Sequence, residues 1–289
     1  MSETMIGSAM LATIASAFFG IQVHLQNAGF DYVDARAGAL INIGATTAIM
    51  WALAPFYLQP EVLMSRSVIL FALAGLLAPA ISLSLMTKSV QLIGPSLSSG
   101  LGSASPVFAI VLAVVLLGEV VTSRIAIGTA IVVSGVMLAA YRIRGKPMSW
   151  PLWALALPIV AAMMRGSAHA LYKLALVELP NPMVGVLVTV SVAFSAILLV
   201  FLLQGRSIPR LNRGYTWFGA SGAINAVGMV CFIQALAIGQ VVTVSPIIAA
   251  APVFTLLTGA LIFRRENVGW KSGVSVLLIV AGCLVILAR

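Results

Sequence analysis

The chain has 289 residues, of which 61% are hydrophobic and 8% are charged, and its mean hydropathy is +1.13. This composition excludes a soluble domain of the same length and predicts a polytopic α-helical membrane protein. The net charge of +9 does not indicate nucleic-acid binding, because short cytoplasmic loops of membrane proteins carry an excess of Lys and Arg.

Ten apolar segments follow one another along the chain, and each is predicted to be a membrane helix. They are expected at 5–23, 37–58, 68–86, 96–117, 125–141, 151–177, 183–203, 217–238, 247–263 and 272–288. The first segment is predicted to remain in the mature protein, because it lacks the basic region that opens a secretory signal. ELPNP at 178–182 is predicted to be a tight turn, and GQVVTVSP at 239–246 a short uncharged link.

The two halves of the sequence, 1–145 and 146–289, carry matching landmarks in the same order. SPVF at 105–108 reappears as APVF at 251–254, and FFG at 18–20 corresponds to MRG at 164–166. Glu119 lies thirteen residues after Pro106, and Glu266 lies fourteen after Pro252. Because each half holds five predicted helices, an odd number, the second half must enter the membrane from the opposite side. Such an inverted-topology repeat is typical of secondary transporters with a substrate site near the bilayer midplane.

A proline-containing segment that ends in LLGE at 116–119 precedes a segment with two glycines, Gly128 and Gly135. In this order the residues resemble the EamA-like domain of the drug/metabolite transporter superfamily. The second half departs from the pattern, because Arg264 and Arg265 stand before Glu266 where the family has small and apolar residues. The resemblance covers nearly the whole chain as two five-helix domains and implies an all-α membrane fold of ten transmembrane helices. Relatives of this kind export amino acids and other small metabolites across the bacterial inner membrane, or carry sugar phosphates and nucleotide-sugars in eukaryotic organelles.

Three basic or titratable side chains lie within the apolar stretch at 151–177, which would rise roughly 39 Å as a helix. Arg165, His169 and Lys173 follow one another in steps of four, so they share one helical stripe, and Tyr172 lies beside it. A charge at the mid-depth of a bilayer is costly unless it faces protein or water. The stripe is therefore predicted to face the substrate pathway.

Arg165 is the strongest candidate for substrate contact. Its planar fork of N–H donors suits a carboxylate or a phosphate and predicts an anion or zwitterion site. The guanidinium could instead pair with helix carbonyls, or the helix could be shifted so that Arg165 lies near an interface. None of the seven acidic residues falls at mid-membrane, which argues against the export of cations in exchange for protons on a buried acid. His169 is either the proton-coupling residue or a structural histidine, and Lys173 is expected to extend to the membrane edge.

The repeat makes the first segment equivalent to the sixth, so both are predicted to line the substrate cavity. Further candidates for substrate contact are Gln22, His24, Phe19, Asn42, Asn225 and Gln234. The amides among them could instead only join neighbouring helices. Because proline frees backbone carbonyls and permits bending, five residues are candidate gating hinges: Pro79, Pro95, Pro106, Pro246 and Pro252. The small residues around these prolines equally suit close helix packing.

Loop charges predict the orientation of the chain. We name the side of the N-terminus side A and the opposite side side B. Eleven basic residues fall on side B, and they are Arg36, Lys88, Arg142, Arg144, Lys146, Arg206, Arg210, Arg213, Arg264, Arg265 and Lys271. Four fall on side A, and they are Arg66, Arg124, Lys173 and Arg289. The positive-inside rule therefore puts side B in the cytoplasm and both termini outside.

These observations predict a secondary transporter that works by alternating access, most simply an exporter of amino acids or related zwitterionic or anionic metabolites. The alternative is an antiporter of organic anions, sugar phosphates or nucleotide-sugars. An intramembrane enzyme is a remote alternative, because no nucleophile–base pair is evident. No cofactor or metal site is expected, since Cys231 and Cys283 lie in apolar segments. The expected partners are a small-molecule substrate and the lipid bilayer, without nucleic acid, and the chain is expected to be a monomer or a homodimer in the bacterial inner membrane.

Overall fold

The computed structural model describes residues 3–93, 95–140, 151–205, 210–261 and 270–288, and it describes 95, 96, 139, 140, 271 and 272 by their backbone alone. All regular secondary structure in this part of the chain is helical. The α-helices in chain order are α1 Glu3–Gly29, α2 Ala35–Leu53, α3 Arg66–Gly75, α4 Ser82–Ile93, α5 Pro95–Gly102, α6 Ser105–Leu117, α7 Ser123–Ala140, α8 Ala156–Glu178, α9 Pro182–Leu203, α10 Arg213–Ile238, α11 Val241–Ile248, α12 Ala251–Leu261 and α13 Trp270–Leu287.

Eight apolar helical stretches of 21 to 28 residues occur within the described ranges. At about 1.5 Å per residue the shortest of them rises about 31 Å, which matches the hydrocarbon core of a bilayer. The chain is therefore an integral multi-pass membrane protein. Two further apolar helices, Ser123–Leu138 and Gly273–Leu287, are shorter, so the count of ten membrane helices stays a prediction.

The predicted link at 239–246 is wrong, because residues Val241–Ile248 form helix α11. Its β-branched residues and Pro246 have low helix propensity, which is why the sequence did not indicate a helix. Inside a membrane, however, the backbone must satisfy its own hydrogen bonds, and burial among other helices favours the helical form. The third predicted segment is also longer than expected and ends at Ile93.

Three of the long apolar stretches are interrupted. The stretch of α3 and α4 is interrupted at Ala78, which has extended backbone angles of φ −144° and ψ 120° and precedes Pro79. The other two interruptions separate α5 from α6 and α11 from α12. In both cases a proline, Pro106 or Pro252, stands in the first turn of the following helix, where its missing N–H costs no hydrogen bond.

The helices that open the two halves pack against the interrupted helix of the other half. A Cβ atom at Gly20 of α1 would lie 2.7 Å from the Cβ of Phe254 and 2.8 Å from the backbone nitrogen of Thr255 in α12. A Cβ atom at Gly166 of α8 would lie 2.7 Å from the backbone nitrogen of Ala109 in α6. Both glycines therefore permit backbone contact at equivalent positions of the two halves.

The last helices of the halves, α7 and α13, form a second close pair. A Cβ at Gly128 would lie 2.7 Å from the carbonyl oxygen of Gly282, and the reverse distance is also 2.7 Å. Ser275 donates its hydroxyl hydrogen to the carbonyl of Gly135 over 2.7 Å. Small residues thus join these helices, as is common between helices in membranes.

Candidate functional site

Four side chains of α8, Arg165, His169, Tyr172 and Lys173, are named here the α8 stripe. Arg165 Nη2 donates to the carbonyl oxygen of Gly102 over 2.8 Å. Gly102 is the last residue of α5, directly before the interruption that separates α5 from α6. The C-terminal end of a helix carries a partial negative charge, so it stabilises the guanidinium within the apolar bundle.

His169 is held by α11, the helix that the sequence did not indicate. Its Nδ1 forms a short hydrogen bond with the hydroxyl of Ser245, a residue that is 1% exposed. Its ring meets the ring of Phe232 in an edge arrangement, with centroids 4.8 Å apart. The imidazole is thereby fixed between α10 and α11.

Tyr172 contacts the interruption at Ala78. Its hydroxyl donates to the carbonyl oxygen of Ala78 over 3.3 Å. That carbonyl is available because the N–H of Ser82 donates to the carbonyls of Leu77 and Pro79 instead. The ring of Tyr172 packs against Phe232 at a centroid distance of 5.9 Å, on the same aromatic residue that His169 touches.

Lys173 contacts the end of α10. Its Nζ donates to three backbone carbonyls, those of Leu236 at 2.8 Å, Ala237 at 3.3 Å and Gly239 at 2.7 Å. The expectation that the ammonium extends to the membrane edge stays a prediction, and the structure places it among the carbonyls at the C-terminal end of α10. The α8 stripe therefore contacts α5, α10, α11 and the interruption at Ala78, and it contacts the interrupted helices of both halves.

Glu119 is a residue that the sequence indicated as a landmark of the repeat but not as a candidate for the site. Its two carboxylate oxygens accept hydrogen bonds from the backbone nitrogens of Val241 and Val242, each over 2.9 Å. These are the first two residues of α11. The sequence signal that could have indicated a role was its alignment with Glu266, which lies outside the described residues.

The candidates on α1 contact the second half of the chain. His24 is 6% exposed, and its Nε2 donates to the carbonyl oxygen of Thr255 over 2.8 Å. Phe19 packs on α10, where a Cβ at Gly228 would lie 2.8 Å from its ring. The Oε1 atom of Gln22 is buried and has no hydrogen-bond partner among the described residues.

The amide candidates Asn42 and Asn225 belong to a polar network between α2 and α10. Asn42 Nδ2 donates to the hydroxyl of Ser221 over 2.7 Å, and Asn225 Nδ2 donates to the hydroxyl of Thr46 over 3.1 Å. Their described bonds thus join helices. Gln234 is half-buried on α10. The structure does not bring Asn42 or Asn225 into hydrogen-bond contact with the α8 stripe.

The candidate hinges differ in position. Three of them, Pro79, Pro106 and Pro252, lie at or directly after the helix interruptions. Pro246 lies inside α11, and Pro95 is the first residue of α5. Their role in gating stays a prediction.

The family model of the EamA-like transporter family matches residues 6–141 and again residues 151–288. The chain belongs to the EamA-like transporter family. The resemblance that the sequence indicated, through LLGE at 116–119 and the glycines of the following helix, is confirmed. The family is a family of membrane transporters, so the α8 stripe and the helix interruptions belong to a transport protein.

Among solved structures, 29 chains match this fold. One of them, titled "Crystal structure of protein", has a TM-score of 0.80 and 13% sequence identity, and the match covers 96% of this chain and 96% of that chain. An identity this low shows a shared fold and no more. No curated protein matches the sequence significantly.

Proposed function

We propose that this EamA-like protein is a secondary transporter that exports amino acids or related zwitterionic or anionic metabolites by alternating access. The observation that carries the proposal is that one helix face, the α8 stripe, contacts interruptions or ends of helices in both halves of the chain. Interrupted helices in the membrane offer backbone groups and places to bend, which is where transporters of inverted-repeat type bind substrate. The stripe supplies a guanidinium, an imidazole and a phenol at that place.

The packing supports an inverted ten-helix architecture. Gly20 of α1 in the first half contacts α12 of the second half. Gly166 of α8 in the second half contacts the equivalent residues of α6 in the first half. Exchanged contacts of this kind are expected when two copies of one five-helix unit are related by an axis in the membrane plane. Alternating access would then consist of rearranging the interrupted helices about the α8 stripe.

The substrate class follows from charge. Arg165 is permanently ionised, and its described hydrogen bond is to a single carbonyl oxygen. A guanidinium has five N–H donors, so a carboxylate of a substrate can be bound beside that carbonyl. The same fork binds phosphate, and a transporter of organic anions or sugar phosphates is therefore the second candidate.

We place the protein in the bacterial inner membrane, with side B in the cytoplasm, as a monomer or homodimer. The excess of basic residues on side B supports this orientation. Seven of the counted basic residues lie outside the described residues, and these are Arg142, Arg144, Lys146, Arg206, Arg264, Arg265 and Arg289.

The test is a flux assay with purified protein in liposomes. Vesicles are loaded with amino acids, organic acids or sugar phosphates, and release of unchanged solute is compared with that of empty vesicles and of vesicles carrying Arg165→Met. We expect release of a zwitterion or an anion that depends on Arg165. Preferred release of a cation, or chemical conversion of the solute, would overturn the proposal.

A further inference from the structure

Glu119 joins the two halves of the chain on side A. It follows α6 in the first half, and it accepts both of its hydrogen bonds from Val241 and Val242 of the second half, over 2.9 Å each. The first residues of a helix have no partners for their N–H groups within the helix, and they favour a negative charge. The carboxylate therefore caps the N-terminal end of α11, although Glu119 itself belongs to the other half of the protein.

Lys173 holds the other side of the same connection. Its ammonium binds the carbonyls of Leu236, Ala237 and Gly239, where α10 ends, and Glu119 binds the start of α11 two residues later. The connection between α10 and α11 is thus held between a cation of α8 and an anion of the first half. A third contact lies at this end of the bundle, where Ser67 of α3 donates to Glu178 over 3.1 Å.

The start of α11 leads directly to the candidate site. Ser245, which binds His169, lies four residues after Val241, so it stands about one turn further along the same helix. Any opening of the bundle between α6 and α11 on side A would expose this serine and the α8 stripe beneath it. In the described structure the two hydrogen bonds of Glu119 join the residues that follow α6 to the start of α11.

We propose that Glu119 is a gate residue, whose carboxylate closes the pathway on side A by holding the start of α11 and must release it when side A opens. The proposal rests on the transport function proposed above. It predicts that the two bonds are made in the state closed to side A and absent in the state open to side A. Removing the carboxylate therefore shifts the population of the protein toward the state open to side A.

The first experiment measures access to α11 without any substrate. Thr243 is 6% exposed and lies two residues inside α11, so Thr243→Cys, with Cys231→Ser and Cys283→Ser, gives a single buried thiol. Its reaction rate with a charged methanethiosulfonate reagent is measured in nanodiscs. Adding Glu119→Ala should raise this rate on the order of tenfold or more, because two charge-assisted bonds are lost.

Glu119→Gln and Glu61→Gln are the comparison variants. Glutamine keeps one acceptor oxygen, so its labelling rate should lie between those of the parent and of Glu119→Ala. Glu61 is an exposed acid between α2 and α3, and its replacement should leave the rate unchanged. Labelling rates of both Glu119 variants within about twofold of the parent would contradict the proposal that Glu119 is a gate residue. An equal rise in the labelling rate with Glu61→Gln would contradict it as well.

The second experiment leaves Glu119 in place. Val120→Cys and Gln240→Cys stand next to the two partners of the contact. With Cys231→Ser and Cys283→Ser also in place, a short cleavable cross-linker can join the two introduced thiols across it. Cross-linking should reduce flux in liposomes at least tenfold, roughly to the level expected when opening is blocked, and a reductant should restore it. Undiminished flux after complete cross-linking would show that the contact is static.

The two experiments separate this proposal from the proposed function. If no solute is transported at all, the labelling rates still report whether Glu119 keeps α11 closed. If transport is found but labelling is insensitive to Glu119, the proposed function stands and the gate does not. Variants that elute as aggregates in gel filtration are replaced by Glu119→Asp, which keeps the charge but is one methylene too short to bind both nitrogens.

Discussion

At the scale of single residues, the position of Arg165 determines how the candidate site is interpreted. The sequence left two roles open, contact with an anionic substrate and pairing with helix carbonyls. The structure shows a carbonyl contact, from Arg165 to Gly102 over 2.8 Å, and this contact uses one nitrogen of the guanidinium. Both roles are compatible with one side chain, because the carbonyl can hold the group in place for a substrate.

Arg165→Met and Arg165→Lys separate these roles. If Arg165 binds a substrate anion, methionine should nearly abolish transport, and lysine should weaken affinity about ten- to a hundredfold because the two-pronged geometry is lost. Methionine also removes a costly charge from the membrane, so Arg165→Met should melt no lower than the parent. Flux and thermal unfolding are measured on the same preparations.

Arg36→Met is the matched control, because Arg36 binds only the exposed amide oxygen of Gln204 in the described contacts. It should leave flux unchanged. A large fall in melting temperature for Arg165→Met would assign Arg165 a structural role. Normal transport by Arg165→Met would show that the α8 stripe is not the pathway.

His169 provides a second prediction at this scale. If it carries protons during transport, His169→Gln should flatten the dependence of flux on pH, while glutamine can still form a hydrogen bond with Ser245 and the protein still folds. Flux is measured at a series of pH values. His24→Gln is the comparison variant, since His24 is the other of the two histidines and binds a carbonyl of α12. A pH dependence of flux that His169→Gln leaves unchanged would exclude His169 as the coupling residue.

At the scale of helices, close backbone contact determines where the two halves meet. Gly166→Ala puts a methyl group 2.7 Å from the backbone nitrogen of Ala109 and 2.7 Å from the carbonyl oxygen of Ser105, so α6 must move. We expect a loss of about 1–3 kcal/mol in the free energy of unfolding, which is typical of an overpacked interior. The measurement is thermal unfolding in detergent.

Gly219→Ala is the control for helix propensity, because a Cβ at Gly219 has nothing within 4 Å. It should be neutral or stabilise by up to about 1 kcal/mol. Gly20→Ala should behave like Gly166→Ala, since both glycines occupy the same position of the repeat. Equal melting temperatures for Gly166→Ala and Gly219→Ala would contradict the backbone contact between α8 and α6.

Much of the fold could be predicted from the sequence, because hydrophobic length and repeated landmarks are local signals. The sequence indicated Pro106 and Pro252 as candidate hinges, and the structure places them in the first turns of α6 and α12, directly after the two interruptions. The sequence did not indicate α11, because the valines and Pro246 of this helix have low helix propensity. Only tertiary burial favours the helical form there. The partners of Lys173 and Glu119 are far away in sequence, so no local pattern predicts them.

At the scale of the whole molecule, charge and hydropathy agree with a protein surrounded by lipid. Large apolar side chains lie on the outer surface, as with Leu277 at 70% and Leu203 at 78% exposure. A soluble protein would bury such residues, whereas lipid solvates them. Two charged side chains of α8, Arg165 and Lys173, end on backbone carbonyls of other helices.

The orientation of the whole chain gives the last prediction. The carbonyl of Ala288 accepts a hydrogen bond from Arg124 over 3.1 Å, so Ala288 lies where α7 begins. The predicted ten-helix topology puts this end of α7 on side A. Side B carries eleven basic residues against four on side A, which predicts a cytoplasmic side B. An alkaline phosphatase fused after Arg289 should therefore be active, and a fluorescent protein inserted beside Lys146 should fluoresce in the cytoplasm.

The reverse pattern would show that loop charge does not orient this chain. Two reporters on the same side would contradict the five membrane crossings predicted for the second half, because five crossings must place its two ends on opposite sides.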